Sequence, residues 1–415
     1  MLSHSLIAFA VVAAHAFDRP SSSQADPETF TGTGIYFEED SIVSPLFPAT
    51  DRNYTGGAAF RFSGGWVQDV RLSAPLEFVD GALGVERLYE MMNKDVREQS
   101  PAGLAAARGW SFLFGMTLFT PFNLALSDPN IGRAKDRPYA SLEFISTTRT
   151  YVGIQRGVAL TSELVLGMLG MDAAHQVQSQ IHLYIRGGRQ QKCPEPGYPT
   201  TKDTPPHEPC GWRNQISDGG EPTFLYALNG EKEILSTSNL LFADLKATGR
   251  ASVGYDTALT VGLAARVGLI DSGFWSYSTA PLASTNQLAQ AGNRDLRSGS
   301  GGDAGAAEQE QAECPPTKEW HPEIYAWGAV RARGVLYNAL LQGQVRDLVR
   351  HSKFTFSFDE MSHGMLEYEA GITGTLGGLR LTWAAIEART PEFQAGDNVR
   401  RHAWTSFFLS WDKSL

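Results

Sequence analysis

Residues 257–269 read Thr-Ala-Leu-Thr-Val-Gly-Leu-Ala-Ala-Arg-Val-Gly-Leu, so that Leu259, Val261, Leu263, Ala265, Val267 and Leu269 alternate with smaller residues, Thr260 and Arg266. A period of two is the mark of an extended chain with one apolar and one polar face. The rhythm recurs along the chain. Trp110, Phe112, Phe114, Met116 and Leu118 alternate with Ser111, Gly115 and Thr117; Leu366, Tyr368, Ala370 and Ile372 oppose Glu367, Glu369 and Thr373. The last segment sets Ala403, Thr405, Phe407, Leu409 and Trp411 against Ser406, Ser410 and Asp412.

Alternation alone fits a soluble sandwich with its apolar face inward and a membrane barrel with that face toward lipid. Three features favour the barrel. The segments have about ten residues, the length a tilted strand needs to cross the hydrocarbon. Aromatic residues cluster at segment ends, and the final segment is aromatic-rich and nearly terminal. The prediction is all-β: a twelve-stranded antiparallel transmembrane barrel with strands near 33–39, 54–63, 110–118, 138–148, 158–167, 222–232, 240–248, 257–269, 323–337, 364–375, 379–389 and 402–412. An even count lets both chain ends lie in the periplasm.

The remaining sequence is consistent with that. The 415 residues, with 42 Gly, 22 Phe, 13 Tyr and 9 Trp, can close a barrel with long loops, although length alone also admits two soluble domains. With 19% charged residues and a net charge of −10 there is no basic face for nucleic acid. Residues 1–16, with an apolar run from Leu6 to Ala14 and the small-x-small Ala14-His15-Ala16, read as a secretory signal peptide preceding a barrel of residues 17–415. The alternative is an N-terminal hydrophobic strand or helix. No later run of 18 uncharged apolar residues would make a membrane helix.

Cys193 and Cys210 bracket a loop with six prolines, and a bridge there would restrain it by roughly 3 kcal/mol; Cys314 is left over. No His or Cys lies at zinc-finger spacing. Residues 75–104 include a short helix around Leu83–Met92, residues 172–187 form a helical patch in an outer loop, and residues 287–317 look disordered.

Strand parity then places the polar clusters. If strand 1 ascends from the periplasm, odd-to-even connections are outer loops. Glu39-Asp40 and Asp51–Thr55 flank the first, Asp136-Arg137-Pro138-Tyr139 closes the second, and Gln178 and His182 lie in the third. All fall on one rim, facing the cell exterior.

The run Glu39-Asp40 … Thr50-Asp51-Arg52-Asn53-Tyr54-Thr55-Gly56-Gly57, followed by Thr120-Pro121, Asp136–Ala140, Gln178-x-x-x-His182 and Gly211-Trp212-Arg213-Asn214-Gln215, resembles the LpxR-type outer-membrane lipid A deacylases. Val335–Asn338, Leu341-Gln-Gly343 and Glu392-Phe393 add to the likeness, which covers most of residues 31–415. It implies a twelve-stranded barrel with its site between the wall and a loop helix, and calcium-dependent hydrolysis of the 3′ acyloxyacyl ester of lipid A. By position, Asp40 matches the acidic metal-site residue, Thr55 the site hydroxyl and His182 the essential histidine. Two places depart from the family. Its usual Asn before the aspartate is Glu39 here, and a basic pair and an acidic residue of characterised members fall at Leu126-Ser127 and Gly188.

Ester hydrolysis at neutral pH needs a base to activate water and donors where the oxyanion develops. His182 is the candidate base, being largely neutral at pH 7. Gln178, one turn earlier, would orient it or the lipid. A hard cation such as Ca2+ suits Asp40 and Glu39, and Thr55 would donate to the oxyanion. Arg52, Arg133, Lys135 and Arg137 are the candidate contacts to lipopolysaccharide phosphates, although Asp51-Arg52 and Asp136-Arg137 read most simply as rim salt bridges. No serine sits on a strand-to-helix turn as a nucleophile elbow would. The rival readings are an outer-membrane phospholipase and a non-catalytic channel or surface interaction protein.

Overall fold

In a computed structural model of the chain, the described residues are 31–39, 53–68, 70–89, 91, 107–122, 124, 136–153, 157–185, 209–217, 219–238, 242–270, 272–277, 322–344, 355–396 and 399–413. The expected signal peptide and the 287–317 insert lie outside them. Twelve strands are present: β1 (Thr31–Glu39), β2 (Asn53–Ser63), β3 (Ala107–Thr120), β4 (Ala140–Gly153), β5 (Val158–Leu169), β6 (Glu221–Ser238), β7 (Phe242–Gly254), β8 (Asp256–Leu269), β9 (Glu323–Asn338), β10 (Gly364–Leu376), β11 (Leu379–Arg389) and β12 (His402–Lys413). Each pairs antiparallel with its sequence neighbours, and β1 pairs with β12 from Thr31↔Lys413 to Glu39↔Thr405, closing the barrel. Closure leaves no strand edge unpaired, as a bilayer requires.

Burial settles what alternation left open. In β9, Tyr325, Trp327, Arg331 and Arg333 are buried while Ile324, Val330 and Leu336 are exposed; in β1, Tyr36 and Glu38 are buried while Ile35 and Phe37 are exposed. The apolar face looks out, toward lipid, and the polar face looks in.

The lumen is filled. Toward the rim that carries Glu39, a core of Tyr36, Phe119, Leu142, Phe144, Leu225, Trp404 and Phe408 is joined by Leu340 of the short helix α3 (Ala339–Gln342). Deeper lie ion pairs: Arg331 with Glu367 and Glu369, Arg250 with Glu163 at 3.0 Å, Arg266 with Asp244 at 2.7 Å. At the opposite rim, where β1 begins and β12 ends, the turn Phe274–Ser276 enters, and Lys246 Nζ donates to the carbonyls of Phe274 at 3.1 Å and Tyr277 at 2.7 Å. Such pairs satisfy charges that the barrel has removed from water.

Two longer helices lie on the outside of the wall. The lumen side of β3 and β4 is marked by Leu113, Phe119, Leu142 and Phe144. Register therefore turns Met116, Leu118, Glu143, Thr147, Arg149 and Tyr151 outward. Helix α1 (Ala74–Leu83), with Pro75 in its first turn where a missing N–H costs nothing, packs Leu76 against Leu164 and Tyr226; it starts earlier than the helix expected around Leu83–Met92, and a further helical turn covers 85–89. Helix α2 (Ala173–Ile185), the expected outer-loop helix, packs Ala174 against Leu118, Tyr139 and Trp212.

Candidate functional site

The site is built where β1, β2 and β3 reach the rim beneath α2. Tyr36 and Glu38 point into the lumen, so Glu39 points out; it pairs with Gly56, which pairs in turn with Leu118. The β2–β3 register slips between Tyr54 and Gly56, making Thr55 the extra residue of a bulge. A bulge re-aims one side chain without breaking the sheet. Here it brings the Thr55 hydroxyl to 2.5 Å from that of Thr120, whose backbone faces outward with Leu118. Glu39, Thr55 and Thr120 are all buried although they stand on the outer wall.

Gly56 lies between Glu39 and Leu118 with no side chain. A Cβ there would come within 2.9 Å of the Glu38 carbonyl oxygen and 3.5 Å of Glu39 Oε2. The glycine thus allows the Glu38 carbonyl and the Glu39 carboxylate to close in on this point of the wall. Two strand spacings separate Glu39 from Leu118, about 10 Å, and Leu118 touches α2 at Ala174.

Helix α2 reaches this place because Gly170, at φ 75°, turns the chain off β5 and over the rim. A Cβ on Gly170 would collide with the Ser217 carbonyl oxygen at 2.0 Å, so the turn needs glycine. Ala174 and Gln178 are buried on the wall-facing side of the helix, and position 182 follows one turn later on the same face. Trp212 Nε1 donates to Gln178 Oε1 at 2.8 Å. The indole ring packs 5.0 Å from the ring of Tyr139, whose hydroxyl donates to the Leu124 carbonyl at 3.0 Å. Gln178 Nε2 is buried and has no hydrogen-bond partner among the described residues, leaving an unspent donor under the helix. Cys210, just before this cluster, is disulfide-bonded, as expected for one end of the Pro-rich loop; its partner lies outside the described residues.

Of the sequence-derived candidates, Glu39, Thr55 and Gln178 share the outer face of the wall at one rim. Asp40, Arg52, Arg133 and Lys135 lie outside the described residues, as does the side chain of His182. Arg137 is placed differently from expectation. Its guanidinium stacks 4.2 Å from the ring centre of Phe119, on the lumen side, and is ion-paired with Glu392. The rim-bridge reading of Asp136-Arg137 therefore holds in kind but not in partner. Asp136 accepts from the backbone N–H groups of Phe122 at 2.6 Å and Arg137 at 2.7 Å and pairs with Arg400 at 3.1 Å. Glu392 gathers Arg137, Arg389 at 2.9 Å and His402 at 3.5 Å. Burial opposes its ionisation, but Arg137, the hydrogen bond with His402 and Arg389 together hold its carboxyl well below the usual carboxylate range. Both carboxylates tie down the segments at the mouth of the lumen, with the wall between them and Glu39, Thr55 and Thr120. Sequence reading quoted Thr120 and Trp212 only as parts of recurring words; a hydroxyl partner for Thr55 and an anchor for Gln178 leave no periodic signal.

Fold and site together define a class: a closed twelve-stranded transmembrane barrel, lumen filled, with a buried polar cluster on the outer side of its wall beside a loop helix. The chain belongs to the family described as outer membrane protein LpxR, whose profile matches residues 2–191 and 204–412, and it is an outer-membrane protein. Among solved structures, LpxR from Salmonella typhimurium is similar, with a TM-score of 0.59 at 14% identity over 92% of this chain and 99% of that one. The beta domain of the Bordetella autotransporter BrkA overlaps more loosely, with a TM-score of 0.39 at 12% identity over 94% of this chain and 100% of that one. No curated protein matches the sequence.

Proposed function

We propose that this chain is a calcium-assisted lipid A 3′-O-deacylase acting in the outer leaflet. The observation that carries the reading is the side of the wall on which Glu39, Thr55 and Thr120 stand: they are buried on its outer side, the side from which a lipid ester would arrive, and not in the lumen, where a permeant would pass. Family membership supports the same conclusion. The filled lumen weighs against the channel reading.

Hydrolysis would run as follows. His182 takes a proton from water as the oxygen attacks the ester carbonyl, then returns it to the departing 3′ oxygen of the sugar, releasing the acyloxyacyl chain as a carboxylic acid. Thr120 donating to Thr55 would free the Thr55 proton for the oxyanion. Gln178, its carbonyl held by Trp212, would present its amide nitrogen to the lipid or to His182. Glu39 and Thr55 offer carboxylate and hydroxyl oxygens, a set that fits calcium; Asp40 and Glu39 would hold it. Bound there, the ion would supply positive charge to polarise the ester carbonyl. Arg52, Arg133 and Lys135 remain the proposed phosphate contacts, while Arg137 is engaged elsewhere.

The test is to incubate purified protein with lipid A and, separately, with glycerophospholipid, with calcium or with chelator, and to weigh the products. Loss of the 3′ acyloxyacyl group from lipid A alone, dependent on calcium and abolished by His182→Ala, is expected. A His182→Ala variant matching wild type, or release from phospholipid only, would overturn the proposal.

A further inference from the structure

Helix α1 is amphipathic the wrong way round for water. The residue it buries completely beside Leu76 is Asp80, which accepts from Ser162 Oγ at 2.6 Å and from the Tyr226 hydroxyl at 2.8 Å. Beyond it, Glu86 is ion-paired with Arg149, whose guanidinium also lies over the rings of Trp110, Tyr89 and Tyr151. Its exposed residues include Phe78 at 77% and Leu83 at 62%, and every exposed residue from Ala74 to Leu83 is uncharged; past the following turn Met91 is 60% exposed as well. Exposed Arg71 and Arg87 flank this stretch.

The wall beneath is equally inverted. Arg149 and Ser162 face each other across β4 and β5 on the outward side, within a barrel whose exposed outward positions include many Leu, Val, Ile and Phe. Left bare, that polar sector would face hydrocarbon, an expensive exposure. Leu164, against which Leu76 packs, stands halfway along β5, so the helix reaches well into the height of the wall. Further along the same strands, toward the opposite rim, Leu166 and Phe224 are exposed.

We infer that α1 is embedded in the leaflet at the rim where β1 begins and β12 ends, its exposed Phe78 and Leu83 side chains against glycerophospholipid acyl chains, where it seals a polar sector of the wall from lipid. The inference stands on the fold and does not need the deacylase activity; only the choice of leaflet assumes that the opposite rim faces the cell exterior.

A photoreactive benzoylphenylalanine placed at Phe78 or at Leu83 of the full chain, irradiated in native outer membranes with labelled phospholipid, should give phospholipid adducts, whereas the same group at buried Leu76 should not. Adducts to lipopolysaccharide, to a second copy of the chain, or to neither would overturn the inference. As an independent measure, Phe78→Glu should lower the fraction of folded barrel in the membrane about tenfold while Phe78→Leu leaves it unchanged; equal yields from the two variants would count equally against it.

Discussion

The lumen cluster around Glu392 offers a test that does not depend on knowing the substrate. Arg137 and Glu392 are almost wholly withdrawn from solvent, with side-chain exposures of 1% and 6%. Glu392→Gln leaves the guanidinium groups of Arg137 and Arg389 facing one another without their shared counter-charge, a loss of about 3–5 kcal/mol. Arg137→Met costs less, about 3 kcal/mol, because Glu392 keeps Arg389 at 2.9 Å and His402 at 3.5 Å. The double variant should lose less than the two singles together, since an arginine already lacking its carboxylate is no asset. The assay is urea unfolding of the barrel in lipid vesicles, with folded and unfolded forms resolved by gel mobility.

The acid limb of the same titration carries a sign. A folded pKa held below the unfolded value near 4.3 makes Glu392 stabilising above that pH, and the contribution disappears as pH falls through the folded value. Wild type should therefore lose stability below about pH 4.3 more steeply than Glu392→Gln. If Arg137→Met left unfolding unchanged and instead raised KM for a lipid substrate, its place on the lumen side of the wall would be wrong.

Three further outcomes are expected. Trp212→Phe removes the donor to Gln178 Oε1 and should destabilise by about 1–3 kcal/mol, seen as faster hydrogen exchange confined to residues 173–185. Thr55→Val should lower kcat about 10²–10³-fold as an oxyanion donor would, and Thr120→Val by about tenfold through loss of one orienting hydrogen bond; equal activity in all three proteins would remove the hydroxyl pair from the mechanism. Gly56→Ala, whose methyl would sit 2.9 Å from a backbone oxygen, should slow turnover with a stability loss of about 1–3 kcal/mol from overpacking, measured by product mass spectrometry beside thermal gel shift.

The strands were legible because lipid on one side and a packed lumen on the other enforce a strict period of two. Even the segments expected at 240–248 and 257–269 appear as Phe242–Gly254 and Asp256–Leu269. Legibility failed where a helix replaces lipid. The fourth strand, expected to end at 148, continues to Gly153 because outward Arg149 is matched by Glu86 of the segment packed over it, and an arginine on a lipid-facing position reads as loop. Strand parity gave a rim to each polar cluster but not a face. The face of Glu39 is opposite to that of its neighbour Glu38, and Thr55 owes its direction to a bulge that no alternation announces. Arg137 was ambiguous for another reason: its counter-ion is 255 residues away, a pairing that only closure of the barrel creates.

For the proposed activity, the placement of Glu39, Thr55 and Thr120 on the outer side of the wall has a kinetic consequence. A molecule arriving along the outer wall is delivered by diffusion within a sheet, so encounter depends on how crowded that leaflet is with the right headgroup and not on molarity in the surrounding medium. Detergent or bystander lipid would then act as a diluent, and two preparations of equal molar strength would run at different speeds whenever their surface fractions differ.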